Sequence, residues 1–547
     1  MPIAIIDEKL CQGCGKCVDT CPEDVIRLNV RSEGEEVLSP CATGCPAQVS
    51  VRKYSYYVEM GMMEEAAEAL ADCLPFPAIT GRICPHPCEA KCARKEVDQA
   101  VNINYLERYV GDYLLNESVQ PVKKIYADKV AVIGSGPAGI SCAYFLCRKG
   151  YDVTVYEKLP VVGGMMRVGI PSYRLPKDLV DAQVKRIEDM GVTFSTGVTV
   201  GEDITLEELR EQYGAVFFAA GLQKSRQVDT EGSDLQGVTY ALEFLCNAGM
   251  GNQPAVGKRV AVIGGGSVAL DSAQTANRMG AEKVYIFSLE GEGEMPALPE
   301  EIVQAREEGI EVHPGRAVKK IMGQDGRVAG IELMGCTSTI NKKGIFDPQY
   351  DESVSETFEV DQIIFAIGQC ADTKLIPAEL STRPSGIVIA DNVTLETNLP
   401  GVFAGGDIAG GPQGGIVVKA LASGKRAAES IERYLKGEDL RKDRDLHTRV
   451  QNPPKDGVAC FARQEAEILC AEKRQSTFDE VKQGFTENQA RLEAQRCMTC
   501  GSKAEITYAE DCMVCLYCER DCPAHAIVVT PERIARRLGP WDLDGRG

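Results

Sequence analysis

Nowhere in these 547 residues does an apolar run approach the length of a membrane span. The N-terminus has neither the basic start nor the apolar core of a secretory signal. Positive charge is short: 60 Lys and Arg stand against 80 Asp and Glu, a formal net charge of −20. That deficit disfavours nucleic acid or an anionic membrane as the main partner and suits a soluble cytoplasmic enzyme. The four His, at His86, His313, His447 and His525, stand apart, and each takes a structural reading. Cysteine is abundant, at 23 residues. In a secreted protein that number would imply disulfides, but here the residues cluster at metal-ligand spacing. A reducing compartment holding metal clusters follows, and oxygen-sensitive clusters would suit an anaerobic setting.

Two of the cysteine groups are near-repeats at the chain ends. Cys11-x2-Cys14-x2-Cys17-x3-Cys21-Pro22 opens the sequence and Cys512-x2-Cys515-x2-Cys518-x3-Cys522-Pro523 closes it. Thiolates at this spacing can wrap a 4Fe-4S cube, and the fourth Cys of such a run ligates the other cluster of a two-cluster ferredoxin. Cys11, Cys14, Cys17 and Cys522 are therefore expected to hold one cube, and Cys512, Cys515, Cys518 and Cys21 the other. Each run is followed by a short apolar strand, Val25–Leu28 and Ala526–Val529. The two ends read as halves of one ferredoxin-like module. Paired zinc sites, the alternative, would use two CxxC pairs rather than three consecutive thiolates and a CysPro.

Between the ends the pattern changes twice. A Cys-rich segment carries Cys41-x3-Cys45 and then Cys84-x3-Cys88-x3-Cys92, with helical periodicity from Met60 to Leu74. Past Pro121 the chain becomes α/β. The apolar strand Lys129–Ile133 runs into Gly134-Ser135-Gly136-Pro137-Ala138-Gly139, and a second strand ends at Glu157. Glycines let the backbone approach a pyrophosphate at a helix N-terminus, and the acid suits ribose hydroxyls. Alone the glycine motif is weak, but strand, helix and acid together make it strong. The arrangement recurs at Arg259–Ile263 with Gly264, Gly266, Ser267 and Val268. The chain then reaches Gly401–Asp407, in which Gly406 and Asp407 suit a flavin ribityl chain. Two Rossmann-like units, one nested in the other, are expected: FAD in the outer unit and nicotinamide in the inner. The charged stretch from Leu440 to Arg496 is expected to be a helical arm leading back toward the clusters.

The segment Gly163-Gly164-Met165-Met166-Arg167-Val168-Gly169-Ile170-Pro171-Ser172-Tyr173-Arg174-Leu175-Pro176-Lys177 resembles the flavin loop of the glutamate synthase small subunit family. So do Phe365–Gln369 and the Gly401–Asp407 run. That family includes the flavin half of dihydropyrimidine dehydrogenase and the large subunit of NADH-dependent ferredoxin:NADP oxidoreductase. The resemblance covers about residues 36–505. It implies one FAD exchanging hydride, with Gly164 and Arg167 at its site, and 4Fe-4S clusters carrying single electrons.

In the family a CxxC follows a Glu-Ala-x-Arg run and precedes the first CxxxCP. Here that piece lies at the far end, as Glu493-Ala494-Gln495-Arg496-Cys497-Met498-Thr499-Cys500. The resemblance thus implies that the arm returns so that Cys497 and Cys500 meet Cys41 and Cys92. It also implies a second cluster on Cys45, Cys84 and Cys88, with Glu107 where relatives carry a carboxylate or amide ligand. Sixteen ligands for four clusters result. Cys73, Cys142, Cys147, Cys246, Cys336, Cys370, Cys460 and Cys470 are given no chemistry. A ligand role for His86 is unnecessary once that count is full.

NADPH-using relatives carry paired Arg after the second strand of the inner unit, where this chain has Leu289-Glu290. A carboxylate repels a 2′-phosphate and accepts from free ribose hydroxyls, so Glu290 favours NADH over NADPH. The expected order of segments is 1–35 as the N-terminal ferredoxin half, 36–122 as the helical cluster domain and 123–240 as the first FAD-binding segment. Then follow 241–375 as the nicotinamide domain, 376–437 as the second FAD-binding segment, 438–505 as the arm and 506–547 as the C-terminal ferredoxin half. The expectation is an NADH-linked flavin iron–sulfur oxidoreductase serving a ferredoxin or a partner redox subunit, within a larger hetero-oligomeric complex. A free-standing NAD(P)H:ferredoxin oxidoreductase and a non-catalytic cluster-bearing assembly subunit are the competing readings.

Overall fold

The computed structural model describes residues 4–7, 11, 16–23, 25–29, 37–410, 415–444, 448–450, 458–506, 512–513, 515–522 and 525–529. Two five-stranded parallel sheets form its centre. The first runs in the order Val402–Ala404, Ala215–Phe218, Lys129–Ile133, Asp152–Glu157 and Thr193–Thr196. The second runs Glu311–His313, Lys283–Phe287, Arg259–Ile263, Gln362–Phe365 and Val238–Tyr240. Their central strands are continuous Val, Ala and Ile because helices cover both faces, so an alternating pattern would bury polar groups. Every strand of the second sheet lies between 238 and 365, and the chain then rejoins the first at 402. The edge strand Val238–Tyr240 starts the second sheet earlier than the boundary expected at 241. An antiparallel sheet of Arg316–Gln324, Arg327–Ile340 and Phe346–Phe358 is inserted in this unit.

Ahead of the sheets lies a bundle of helices, chiefly Val51–Met60, Met63–Ala71, Pro77–Ile83 and Ile103–Asn116. The single helical stretch expected over Met60–Leu74 is interrupted. Gly61 ends the preceding helix in a left-handed cap at φ 73°, and the next helix begins at Met63.

The arm differs more. Within 458–496 it is helical only at Ala471–Arg474 and Glu487–Ala494. Elsewhere its backbone is claimed by buried side chains: Arg94 donates to the Ala459 carbonyl at 2.7 Å and Arg496 to that of Phe461 at 3.1 Å. Carbonyls taken by guanidinium groups, and amides taken by carboxylates, have no need of a helix.

The chain ends pair with each other. Ala4–Ile6 runs antiparallel to Ile527–Val529, and Ile26–Asn29 to Lys503–Ile506. Each half thus supplies one strand to the other's ribbon. Among the described residues no helix is long and apolar enough to cross a membrane.

Candidate functional site

The first glycine loop sits between the strand Lys129–Ile133 and the helix Pro137–Arg148. Gly134 turns the chain at φ 98°, and a Cβ there would stand 2.6 Å from the Ala219 carbonyl. Gly139 packs helix on strand, where a Cβ would meet the Gly134 carbonyl at 1.9 Å. At Gly136, the helix N-cap, a Cβ would meet nothing within 4 Å. The open glycine with free helix amides beyond it is the shape a pyrophosphate needs. Pro137 starts the helix and Ala138 is buried beneath it. Gly164, at φ 53°, lies over Gly136, and Gly163 N donates to Ser135 Oγ at 3.1 Å.

Glu157 is buried, and both its oxygens are engaged. Oε2 accepts from Ser135 N at 2.9 Å and Ser135 Oγ at 2.6 Å, and Oε1 from Leu159 N at 2.8 Å. The carboxylate therefore shapes the loop itself. Arg167 likewise turns to protein partners, Asp181 at 2.7 Å and the Gly249 carbonyl at 3.3 Å. Gly406 N donates to Ser423 Oγ at 2.9 Å, and Asp407 accepts from Gly415 N at 2.8 Å at the mouth of the same cradle.

The second loop repeats the construction. Gly264 is at φ 146°, with a Cβ position 2.4 Å from the Ala366 carbonyl, and Gly266 is open. Val268 is exposed at the start of the helix Ser267–Arg278. Glu290 leans over this loop: a Cβ on Gly265 would stand 2.5 Å from its Oε2. Ser267 Oγ donates to Glu301 Oε2 at 2.6 Å.

In the helical domain two groups of candidate ligands lie near one another. Cys497 and Cys500, delivered by the arm, stand among Cys41 and Cys92; burial first, then these neighbours, raise the proton affinity of Cys497 and Cys500. Burial pushes the Cys41 thiol up to about 11, against a 3.1 Å contact with Ser39 Oγ that pulls it down, and Cys500 up to about 12. Cys45, Cys84, Cys88 and Glu107 form the other set by the same criterion. Burial drives Cys45 up to about 11, and Cys84 and Cys88 higher still. These are thiols, with no disulfide among them. Burial keeps these groups as neutral thiols; bound metal cations would invert that titration and hold them as thiolates.

Tight helix crossings build the second set. A Cβ at Gly81 would stand 2.4 Å from the Arg108 Cα, and one at Gly111 2.4 Å from the Ala78 amide. The helices Pro77–Ile83 and Ile103–Asn116 are thus in backbone contact, which brings Glu107 near Cys84. Glu107 is buried, its Oε1 has no hydrogen-bond partner, and burial pushes the carboxyl up to about 7. A carboxylate with an orphaned oxygen, near three thiols, fits a metal-cluster ligand. Cys73 lies close enough to raise Cys45, a neighbour that the sequence did not indicate.

At the paired ends Cys11, Cys17 and Cys522 share one small apolar core with Val25 and Ile527. Cys21 lines a cavity with Cys512, Cys515 and Cys518, and burial pushes the Cys518 thiol up to about 11. The fourth Cys of each run thus sits with the other run. Cys14 lies outside the described residues.

The arm is pinned along the way. Glu493 Oε1 accepts from Asn102 N at 2.6 Å, and Arg82 and Arg108 reach Glu480 at 2.7 and 3.0 Å. Sequence reading missed these pairs, because partners hundreds of residues apart leave no local spacing signal. It also missed that Arg174 bridges the two dinucleotide units, though the segment carrying it was legible.

Residues 128–424, more than half of the chain, match the model for pyridine nucleotide-disulphide oxidoreductases. The chain belongs to this family. Within it, residues 37–119 match the 4Fe-4S cluster domain II of dihydropyrimidine dehydrogenase, and residues 4–27 match a 4Fe-4S binding domain. The NADP(+)-dependent formate dehydrogenase subunit beta of Moorella thermoacetica is 34% identical over 503 residues, covering 85% of this chain and 71% of that one. The glutamate synthase (NADPH) small chain of Azospirillum brasilense is 33% identical, covering 72% and 86%. The NAD-dependent dihydropyrimidine dehydrogenase subunit PreT of Escherichia coli is 34% identical, covering 73% and 92%. FprA of Mycobacterium tuberculosis in complex with NADPH shares the fold, with a TM-score of 0.50 at 20% identity over 57% of this chain and 85% of that one. This family member is thus an NAD(P)H-dependent flavin and iron–sulfur oxidoreductase of the glutamate synthase small-subunit group.

Proposed function

We propose that this chain moves electrons between NADH and a one-electron acceptor through one FAD and four 4Fe-4S clusters, as the nicotinamide-linked subunit of a larger cytoplasmic redox complex. The convergence of the two helical-domain ligand sets from remote stretches carries the reading: such assembly has no purpose in a hydride-transfer enzyme alone. FAD, when bound, exchanges a hydride on one side and single electrons on the other. The chain supplies the rest. The first loop, with Gly134, Gly136, Gly139, Gly164 and Asp407, holds the flavin nucleotide, and the second, with Gly264, Gly266, Ser267 and Val268, holds NADH. Cys45, Cys84, Cys88 and Glu107 hold one cluster, Cys41, Cys92, Cys497 and Cys500 another, and the paired ends two more. The segments from 1–35 to 506–547 are the working domains, with the nicotinamide domain starting at Val238 rather than 241.

Glu290 supports the choice of NADH, since its carboxylate lies over the loop where an adenosine ribose would rest. Two of the relatives quoted are NADP-linked by name and one is NAD-linked. The partner is a ferredoxin or a subunit that accepts single electrons, because four clusters exceed what nicotinamide–flavin exchange requires. Anaerobically prepared protein should reduce a viologen with NADH, and native mass spectrometry of protein from its own cells should show an associated redox subunit. Absence of any nicotinamide–viologen activity in protein with full flavin and iron would sink the enzymatic reading. A lone chain with full ferredoxin-reducing turnover would sink the subunit reading.

A further inference from the structure

The segment 163–177 touches the first glycine loop and the helices behind the second. At its start Gly163 is bonded to Ser135 and Gly164 rests on Gly136, where a Cβ would stand 2.8 Å from the Gly136 Cα. At its end Arg174 leaves the first unit. Its Nη1 donates to Asp271 Oδ1 at 2.7 Å, and its Nη2 lies 2.6 Å from Glu301 Oε1, at ion-pair distance without hydrogen-bond alignment. Asp271 stands one turn along the helix that opens at Ser267, and Glu301 accepts from Ser267 Oγ at 2.6 Å. Arg174 therefore holds the second unit twice, directly at Asp271 of its helix and through Glu301, whose other oxygen takes the Ser267 hydroxyl.

The surroundings hold that grip rigid. Tyr173 OH donates to the Asp271 carbonyl at 3.4 Å, and the Arg278 guanidinium lies 3.9 Å from the Tyr173 ring centroid. Arg278 is itself paired with Glu308 at 2.6 Å, and its Nε donates to the arm's Thr477 carbonyl at 3.0 Å. Lys177 bonds the Met166 carbonyl at 3.4 Å on the near side of Asp271. Placing a half-buried guanidinium against two buried carboxylates is a costly way to join two units, and apolar packing would join them with less desolvation. What ion pairs add is direction.

We propose that Arg174 is a positioning residue for hydride transfer. Through Asp271 and Glu301 it fixes the second loop, and with it the nicotinamide of bound NAD(P)H, against the flavin site. The step moves one hydride, two electrons with one hydrogen, from nicotinamide C4 to flavin N5, so that NAD(P)H is oxidised and FAD reduced. Its rate depends steeply on that separation. The inference rests on the assignment of the first loop to flavin and the second to nicotinamide.

The test uses anaerobic holoenzyme and single-turnover flavin reduction by saturating NADH or NADPH, with ADP-ribose titrated separately by calorimetry. In Arg174→Gln the saturated rate should fall about tenfold to a hundredfold, since a misplacement near 1 Å costs that much. ADP-ribose affinity should stay within about twofold, because that ligand reads only the second loop. Arg174→Lys, which keeps the charge but reaches one carboxylate, should recover some of the rate, and Asp271→Asn should lower it. A wild-type saturated rate in Arg174→Gln would overturn the proposal. So would a loss of ADP-ribose affinity matching the loss of rate, which would make Arg174 a binding residue. If Arg174→Gln does not fold, wild-type rates in both Arg174→Lys and Asp271→Asn overturn it instead. Wild-type holoenzyme whose flavin neither nucleotide reduces would sink the functional reading first, and this one with it.

Discussion

Gly81 lies so near the backbone of Arg108 that a Cβ at 81 would stand 2.4 Å from the Arg108 Cα. The neighbour of Arg108 is Glu107, so this contact sets how far the carboxylate reaches toward Cys45, Cys84 and Cys88. Gly81→Ala should force the two helices apart at a cost of about 1–3 kcal/mol, as overpacking does. Thermal unfolding should show the loss, and iron per flavin should drop by about four, one cube's worth. A variant with full iron and unchanged melting would mean that the crossing tolerates a methyl group.

Arg496 and Glu493 form a 2.6 Å pair with neither side chain exposed, and Arg496 also reaches Asp98 at 2.9 Å. Arg496→Gln leaves Glu493 buried without its cation and should cost about 3–5 kcal/mol in denaturant unfolding. Replacing both Arg496 and Glu493 with Met should not restore that loss, because the amides of Asn102 and Gln464 then lose their acceptor. If the single variant unfolds at the wild-type midpoint, the pair does not anchor the arm.

Asp98 is held well below the usual carboxylate range, first by its hydrogen bonds with Arg94 and then by amides and Arg496. A depressed folded pKa contributes stability that is present above the unfolded value, about 3.9, and lost as pH falls through the folded one. Asp98→Asn should therefore be less stable than wild type at neutral pH, and the gap should narrow only below about pH 4. Unfolding curves at several pH values test this; a gap that widens on acidification contradicts it.

Glu290 overhangs the second glycine loop. Changing Leu289 and Glu290 to Arg should shift the ratio of kcat/KM values toward NADPH, because guanidinium groups give a 2′-phosphate charge-assisted donors. A wild-type protein that already prefers NADPH would show that another basic residue reads the phosphate.

Anaerobic protein should hold about sixteen iron atoms per flavin, four for each cube. Truncation before residue 506 should remove about eight, because Cys21 and Cys522 each sit with the other run and neither cube survives alone. Retention of a complete N-terminal cluster after truncation would show the halves to be independent.

Local chemistry was legible in the sequence wherever spacing along the chain is itself the signal. Cysteine runs, glycine loops and the Val-rich strands ahead of them depend on neighbours a few residues away, and the structure forms strand and helix around both glycine loops as read. The helical expectation for the arm failed because charged composition cannot distinguish a solvated helix from an extended strap. What decided the matter was Arg94, Arg496 and Glu493 taking up its carbonyls and amides. Glu157 and Arg167 were legible as residues of the first loop, but their engagement with Ser135 and Asp181 was not. By itself the sequence determined the kinds of group this protein can hold, because ligand chemistry is written in residue type and short spacing. Only the tertiary structure decided which polar partners meet where no spacing signals them: Arg174 with Asp271, Glu493 with Asn102, Arg108 with Glu480. Those meetings depend on helix crossings, strand pairings and buried ion pairs between segments that the chain order keeps apart.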